Sequence, residues 1–153
     1  MLLHGINHVA TLTSDTDRLH AFYREIFEAT AEDHERTEGF RMSFVDLGDG
    51  TQLNVFEIKD NAEAQRQVPM FGRGRIDHIG LRARDLEAFE EIRRRLMDRA
   101  AADDFVTDFG PDLSIFFRDP DGLEGEVLVE NPDAKPGVVN PPGTRAARFP
   151  APA

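Results

Sequence analysis

Two histidines and two glutamates stand at matching places in the two halves of this 153-residue chain. His8 lies in the segment INHVA and His78 in the segment IDHIG, while Glu57 and Glu126 each lie in the last apolar segment of a half. Imidazole and carboxylate groups in combination suit borderline divalent metals, among them Zn, Ni, Co, Fe and Mn. A metal ion would also compensate the unfavourable burial of a carboxylate. The four residues are therefore predicted to be the ligands of one divalent metal ion.

The elements that must position these residues follow the same repeat. In the first half, alternating apolar residues predict strands over 4–12, 40–47 and 51–58, with 31–38 as an edge strand or a loop. Apolar residues at helical spacing predict a helix that begins after Ser14 or Asp15, either of which is a suitable N-cap. The apolar stripe of this helix consists of Leu19, Phe22, Tyr23, Ile26 and Phe27.

The second half repeats these elements. Its predicted strands cover 76–83, 103–109, 113–118 and 123–130. A helix capped by Asp85 follows the first strand, and a turn of sequence DPDG precedes the last one. The repeat predicts an α+β fold of two tandem βαβββ modules that form a curled mixed sheet with the helices on its outer face. In that arrangement the histidine and the glutamate of each module can point inward.

The predicted domain organisation follows from the repeat and from the composition of the segments around it. One domain over 4–130 contains module one, 4–58, a polar linker, 59–73, and module two, 74–130. Residues 131–153 form a proline-rich C-terminal tail to which we assign no chemistry.

Composition and charge exclude several classes of function. The chain has 18 Lys and Arg against 29 Asp and Glu, which gives a formal net charge of −11. This excess argues against nucleic acid or an anionic membrane surface as a partner. The absence of cysteine excludes disulfides, thiolate zinc sites and a thiol nucleophile, and it fits a cytoplasmic protein. Neither a transmembrane helix nor a secretory signal is expected from the sequence.

The repeated unit resembles the vicinal oxygen chelate superfamily, which includes glyoxalases, bleomycin resistance proteins and extradiol dioxygenases. The resemblance rests on His8 in INHVATL, Glu57 in QLNVFEI, His78 in IDHIGL and Glu126 in RDPDGLEGEVLVE, and it extends over residues 4–130. It implies that the corresponding first-strand and last-strand positions bind one metal ion in the concave face of the paired modules.

The His/Glu/His/Glu pattern is most similar to that of glyoxalase I. This resemblance implies a lyase, isomerase or epimerase that abstracts a proton next to a carbonyl group, with Glu126 or Glu57 as the general base. Epimerases of acyl-CoA esters more often have glutamine where Glu57 stands. Glyoxalase I usually has an arginine four residues after its first metal-binding histidine, where this chain has Leu12. The resemblance therefore implies the metal chemistry without implying glutathione as cosubstrate.

Two alternatives remain open at this stage. His8, His78 and Glu126 alone would satisfy the three-ligand pattern of an extradiol dioxygenase, although the only tyrosine, Tyr23, lies on the predicted outer helix. A non-catalytic antibiotic-binding protein is the other alternative, because the negative net charge would suit a cationic ligand. In each case the expected partner is a small molecule, and by resemblance the expected assembly is a homodimer.

Overall fold

Each half of the chain forms its own compact unit. The computed structural model describes residues 1–2, 4–66, 76–139 and 141. The first unit comprises Met1–Gln67 together with Pro120–Gly122, and the second comprises Val68–Asp119 together with Leu123–Ala153. Each unit contains one βαβββ module with a four-stranded mixed sheet. The predicted α+β fold of two tandem modules is confirmed, and each module has a sheet of its own.

The first module follows the predicted order of elements. These are β1 (His8–Thr13), α1 (Thr16–Phe27), β2 (Ala31–Thr37), β3 (Phe40–Asp46) and β4 (Gln52–Ile58), followed by a short 3-10 helix, Ala62–Gln65. The strand order across the sheet is β1-β4-β3-β2, in which only the β1–β4 pair is parallel. The alternative that residues 31–38 form an edge strand is thereby confirmed.

Helix α1 covers the sheet of the first module. Its N-cap is Asp15, whose side chain accepts a hydrogen bond from the backbone N–H of Arg18 at 3.0 Å, and its C-cap is Glu28, whose φ is 57°. The helix packs against β2, β3 and β4. Its buried residues are Thr16, Leu19, His20, Phe22, Tyr23 and Ile26. The predicted apolar stripe is therefore the face that forms the core, in which burial supplies the main stabilisation.

The second module repeats this arrangement. Its elements are β5 (Ile79–Arg82), α2 (Leu86–Asp98), β6 (Thr107–Asp108), β7 (Asp112–Arg118) and β8 (Glu124–Glu130). The strand order is β5-β8-β7-β6, in which only the β5–β8 pair is parallel. Asp85 caps α2 as predicted, because its carboxylate accepts the N–H of Ala88 at 2.8 Å. No helix in the described part of the chain is long and apolar enough to cross a membrane.

Two strands of the second module are shorter than the sequence predicts. The strand expected over 103–109 is reduced to Thr107–Asp108, and that expected over 76–83 is reduced to Ile79–Arg82. In the first case the N–H of Phe105 is bound by the side chain of Asp103, at 3.0 Å. Such local side-chain hydrogen bonds compete with the sheet for backbone groups. The predicted linker 59–73 lies partly outside the described residues.

The first part of the C-terminal tail follows the second module closely. Asn131 is buried, and its side-chain amide donates to the backbone oxygen of Gly110 at 2.8 Å. A Cβ atom at Gly110, whose φ is 95°, would lie 2.4 Å from the backbone oxygen of Val138. The glycine therefore permits the close approach of the tail at this point.

A buried histidine on α1 makes the stability of the first module dependent on pH. His20 is 3% exposed, and its Nε2 atom lies 2.8 Å from the hydroxyl oxygen of Ser43, which is fully buried on β3. Burial lowers the pKa of His20, and the positive charges of Arg24 and Arg41 lower it further, against weaker opposition from nearby aspartates. The folded chain thus keeps this imidazole neutral at pH values where the unfolded chain protonates it.

We expect the free energy of unfolding to fall as the pH is lowered below about 6.5, because the unfolded state gains a proton that the folded state resists. The contribution of His20 is at most about 1.4 kcal/mol per pH unit, and it vanishes above the ordinary pKa of about 6.5, where both states are neutral. Urea unfolding at a series of pH values measures this slope. His20→Gln should flatten the slope, whereas His4→Gln, at an exposed position, should leave it unchanged. An unaltered slope in His20→Gln would contradict the assignment.

Candidate metal centre

Glu126 is a buried carboxylate in the middle of a sheet. It lies on β8, which pairs with β5 on one side and with β7 on the other, and it is 8% exposed. Its Oε1 atom accepts a hydrogen bond of 2.5 Å from the hydroxyl of Ser114 on β7. A fully solvated acidic surface around Glu126 is therefore not observed, since Glu124 on the same strand is also buried.

His78 approaches the other oxygen of this carboxylate. It immediately precedes β5, and its Nε2 atom lies 3.3 Å from Oε2 of Glu126. Its Nδ1 atom lies 3.0 Å from Oδ2 of Asp77. The edge of the ring also contacts Phe116, with the ring centroids 5.6 Å apart. The orientation of the imidazole is thus fixed by its neighbours.

The geometry of this pair fits a bound cation. In the tautomer whose Nδ1–H donates to the carboxylate of Asp77, Nε2 of His78 presents a lone pair to an oxygen of Glu126. Two acceptors at 3.3 Å repel each other unless a second imidazole proton or a metal ion lies between them. Ligand atoms about 2.1 Å from one metal ion are roughly 3.0–3.4 Å apart at octahedral or tetrahedral angles. The donation of the second ring N–H to a carboxylate is also the usual arrangement of a metal-binding histidine.

His8 in the first module has the same local arrangement. Its Nδ1 atom lies 2.8 Å from Oδ1 of Asn7, as that of His78 does from its own preceding residue. The amide oxygen can only accept, so Nε2 of His8 is again the nitrogen that carries the lone pair. The imidazole is exposed at the first residue of β1. Both histidines therefore present Nε2 as a potential ligand atom.

Glu57 has a different environment from Glu126. Its Oε2 atom accepts a hydrogen bond of 2.8 Å from the backbone N–H of Thr16, the first residue of α1. Across the parallel ladder Glu57 pairs with Thr13, five residues beyond His8 along β1. The carboxylate therefore lies at the N-terminus of the helix, where negative charge is favourable.

The structure thus brings together one of the two predicted pairs, His78 and Glu126. No group of three or more His, Cys, Asp or Glu side chains close enough to hold a metal ion occurs among residues 1–2, 4–66, 76–139 and 141. Three neighbours of the predicted ligands were not predicted from the sequence, namely Asn7, Asp77 and Ser114. The signal for the first two is visible in the sequence, since an Asn or Asp precedes each histidine.

Tyr23, the residue considered for dioxygenase chemistry, belongs to the core of the first module. It is fully buried on α1, and its ring lies 5.5 Å from those of Phe22 and Phe27. Leu12, which stands where glyoxalase I usually has an arginine, is half-buried on β1.

Several solved structures share the fold of this chain. One is a glyoxylase/bleomycin resistance protein/dioxygenase domain from Frankia sp. EAN1pec, with a TM-score of 0.72 and 19% identity, covering 84% of this chain and 99% of that one. Another is the trypanothione-dependent glyoxalase I of Leishmania major, with a TM-score of 0.64 and 20% identity, covering 84% and 88%. A third is the fosfomycin resistance protein FosX of Listeria monocytogenes, with a TM-score of 0.62 and 19% identity, covering 85% and 96%. At these identities the similarity shows the fold alone.

One protein family matches most of the chain. No curated protein matches the sequence at a significant level. The family description that matches residues 5–127 is that of the Glyoxalase/Bleomycin resistance protein/Dioxygenase superfamily. The match includes both modules, with His8, Glu57, His78 and Glu126. The chain therefore belongs to the glyoxalase/bleomycin resistance protein/dioxygenase superfamily.

Proposed function

We propose that the chain is a divalent-metal-dependent enzyme of the lyase, isomerase or epimerase type. It would abstract a proton next to a carbonyl group of a small α-oxygenated substrate. The observation that carries this proposal is the His78–Glu126 pair, in which Nε2 lies 3.3 Å from an oxygen of a buried carboxylate and Nδ1 lies 3.0 Å from Asp77. His78 and Glu126 are the proposed ligands from the second module. His8, which the repeat places at the matching position of the first module, is a further proposed ligand. The metal would be one ion of Zn, Ni, Co, Fe or Mn.

The residues around the pair have separate roles in this proposal. A divalent ion held by these residues would supply Lewis-acid chemistry, by which a carbonyl oxygen is polarised and negative charge on the substrate is stabilised. Glu126 is the proposed general base, which takes the proton from the carbon atom and later returns it. The electron pair of the broken C–H bond moves toward the carbonyl oxygen. Ser114 holds Oε1 of Glu126, and Asp77 fixes the ring of His78, so the reacting groups are oriented before the substrate binds.

The proposed partners are a small-molecule substrate and, by resemblance, a second copy of the chain in a homodimer. The proposed location is the cytoplasm, which the absence of cysteine supports.

The proposal is tested by metal binding together with proton exchange. Metal-stripped protein is titrated calorimetrically with Ni²⁺, Co²⁺, Zn²⁺ and Mn²⁺. Deuterium incorporation from heavy water into a panel of α-hydroxy ketones and α-keto acids is then followed by NMR. We expect one equivalent of metal to bind and exchange to require it. Glu126→Gln should lower the metal affinity by about 100-fold or more and abolish exchange, because it removes a ligand and the base.

Glu130→Gln is the matched control, because this residue ends the same strand but is exposed. It should retain the metal affinity and the exchange rate of the wild-type chain, whereas His8→Ala tests the contribution of the first module. A wild-type chain that binds none of these ions would contradict the proposal. Oxygen consumption with catechol ring cleavage in the Fe²⁺ protein would indicate a dioxygenase, and binding of a cationic glycopeptide without metal would indicate a sequestering protein.

A further inference from the structure

The pairing of strands in the second module fixes the positions of its proposed ligands. Glu126 on β8 pairs with Gly80 on β5, and His78 precedes Gly80 by two residues. On the other side, Glu126 pairs with Phe116 of β7. The position of Glu126 is thus fixed by both neighbouring strands.

The corresponding position in the first module is Asn54. On β4 this residue pairs with Ala10 of β1, and His8 precedes Ala10 by two residues. On the other side, Asn54 pairs with Phe44 of β3, as Glu126 pairs with a phenylalanine in the second module. The pairing with both neighbouring strands therefore makes Asn54 the counterpart of Glu126. Asn54 lies three residues before Glu57.

The two faces of β4 agree with this register. Successive side chains of a strand point to opposite faces, so Leu53, Val55 and Glu57 share one face and Asn54 lies on the other. Leu53 and Val55 are fully buried, and Glu57 bonds to the backbone of α1 through Thr16, so this face is the one covered by the helix.

The side-chain oxygen of Asn54 has no hydrogen-bond partner within the described part of the chain that would give it a structural role. The Oδ1 atom is shielded from solvent, and no hydrogen-bond donor among the described residues reaches it. A buried acceptor without a donor is unfavourable unless a water molecule or an ion satisfies it. An amide oxygen is also a suitable ligand for a divalent cation, but it brings no charge.

We infer that Asn54 is the metal-facing residue of the first module and that Glu57 is a structural residue at the N-terminus of α1. This inference rests on the proposed function. It means that the first module presents a neutral pair, His8 and Asn54, and that only the second module has a carboxylate, Glu126, at this ladder position. Asn54 therefore determines how tightly the chain holds a divalent ion, because affinity rises with the number of charged ligands.

The test compares Asn54→Glu and Glu57→Gln in the full chain, with Co²⁺ as the probe. Co²⁺ affinity is measured by calorimetry and by the visible absorption of the bound ion, and the melting temperature is measured without metal. Asn54→Glu should bind Co²⁺ roughly tenfold tighter or more, because it adds a charged ligand. Glu57→Gln should bind Co²⁺ within about twofold of wild type, yet its metal-free melting temperature should fall by about 2–4 °C, since a helix-terminal contact is weakened.

The opposite pattern would overturn the inference. Loss of Co²⁺ binding in Glu57→Gln with an unchanged metal-free melting temperature would make Glu57 the ligand. An unchanged Co²⁺ affinity in Asn54→Glu would show that residue 54 does not face the metal ion. Failure of the proposed function gives a different result. If the wild-type chain binds no Co²⁺ but Asn54→Glu does, the proposed function fails while the place of Asn54 is supported. If neither chain binds Co²⁺, both fail.

Discussion

Gly125→Ala is expected to destabilise the second module by about 3 kcal/mol, near the upper end of the usual effect of overpacking. Gly125 lies on β8, and a Cβ atom there would stand 2.3 Å from the Cε1 and Cζ atoms of Phe117. Phe117 is 1% exposed, so its ring cannot move aside without displacing other core residues. The midpoint of urea unfolding, with the slope of the transition as a check on two-state behaviour, measures the loss.

Gly80→Ala is the matched control on the neighbouring strand. Its Cβ would lie 3.1 Å from Cδ1 of Leu128, the end of a flexible side chain that can rotate away, so we expect a loss of less than about 1.5 kcal/mol. Adding Phe117→Leu to Gly125→Ala should recover part of the stability, because the smaller side chain leaves room for the methyl group. Equal unfolding midpoints for Gly125→Ala and wild type would show that the contact with Phe117 is not tight.

Asp121→Ala is expected to destabilise the first unit by about 2–4 kcal/mol. Asp121 is 7% exposed, and its Oδ2 atom accepts the hydroxyl of Thr13 at 2.5 Å. Its Oδ1 atom accepts the N–H and the hydroxyl of Ser14, at 3.1 and 2.9 Å, and a guanidinium N–H of Arg18 at 2.7 Å. The substitution leaves the buried hydroxyl of Thr13 without this acceptor, which accounts for most of the expected loss. Thermal and urea unfolding measure it.

Two further variants separate charge from hydrogen bonding at this residue. Asp121→Asn keeps an acceptor oxygen and should lose less than half as much stability as Asp121→Ala. Arg18→Ala should lose less than about 1 kcal/mol, because the side chain of Arg18 is 42% exposed and its ion pair is screened by solvent. If Arg18→Ala proved as damaging as Asp121→Ala, the ion pair and not the buried hydrogen bonds would be the main interaction.

Local features of the fold were predictable from the sequence. The helices follow from apolar residues at helical spacing after Asp15 and Asp85, and both caps are observed. The repeated order of elements follows from the two hairpin-like segments and the repeated histidines. The truncated strand at Thr107–Asp108 was not predictable from alternation, because the side chain of Asp103 captures the N–H of Phe105.

The register of the last strand in each module was harder to predict. Glu57 and Glu126 both lie in the last apolar segment of a half, so their similar distances from His8 and His78 suggest that they are equivalent. Alternation suggests otherwise, since Glu57 shares a face with the buried residue Val55, whereas Glu126 lies on the opposite face from the buried residue Val127. Residues an odd number of positions apart lie on opposite faces of a strand. Glu57 and Glu126 therefore do not lie on equivalent faces, and this difference was the signal in the sequence that pointed to Asn54.

The Pro120–Gly122 turn has a consequence for the synthesis of the protein. The first unit contains three residues that the ribosome adds only after nearly all of the second module, and the hydrogen bond from Thr13 to Asp121 joins residues 108 positions apart. Closing so long a loop is slow and entropically unfavourable. Until Asp121 has been synthesised, the first module therefore lacks the acceptor for the hydroxyl of Thr13 and for the N–H groups at the start of α1. Although the two modules follow each other in the sequence, the first therefore cannot complete its folding before most of the second has been synthesised.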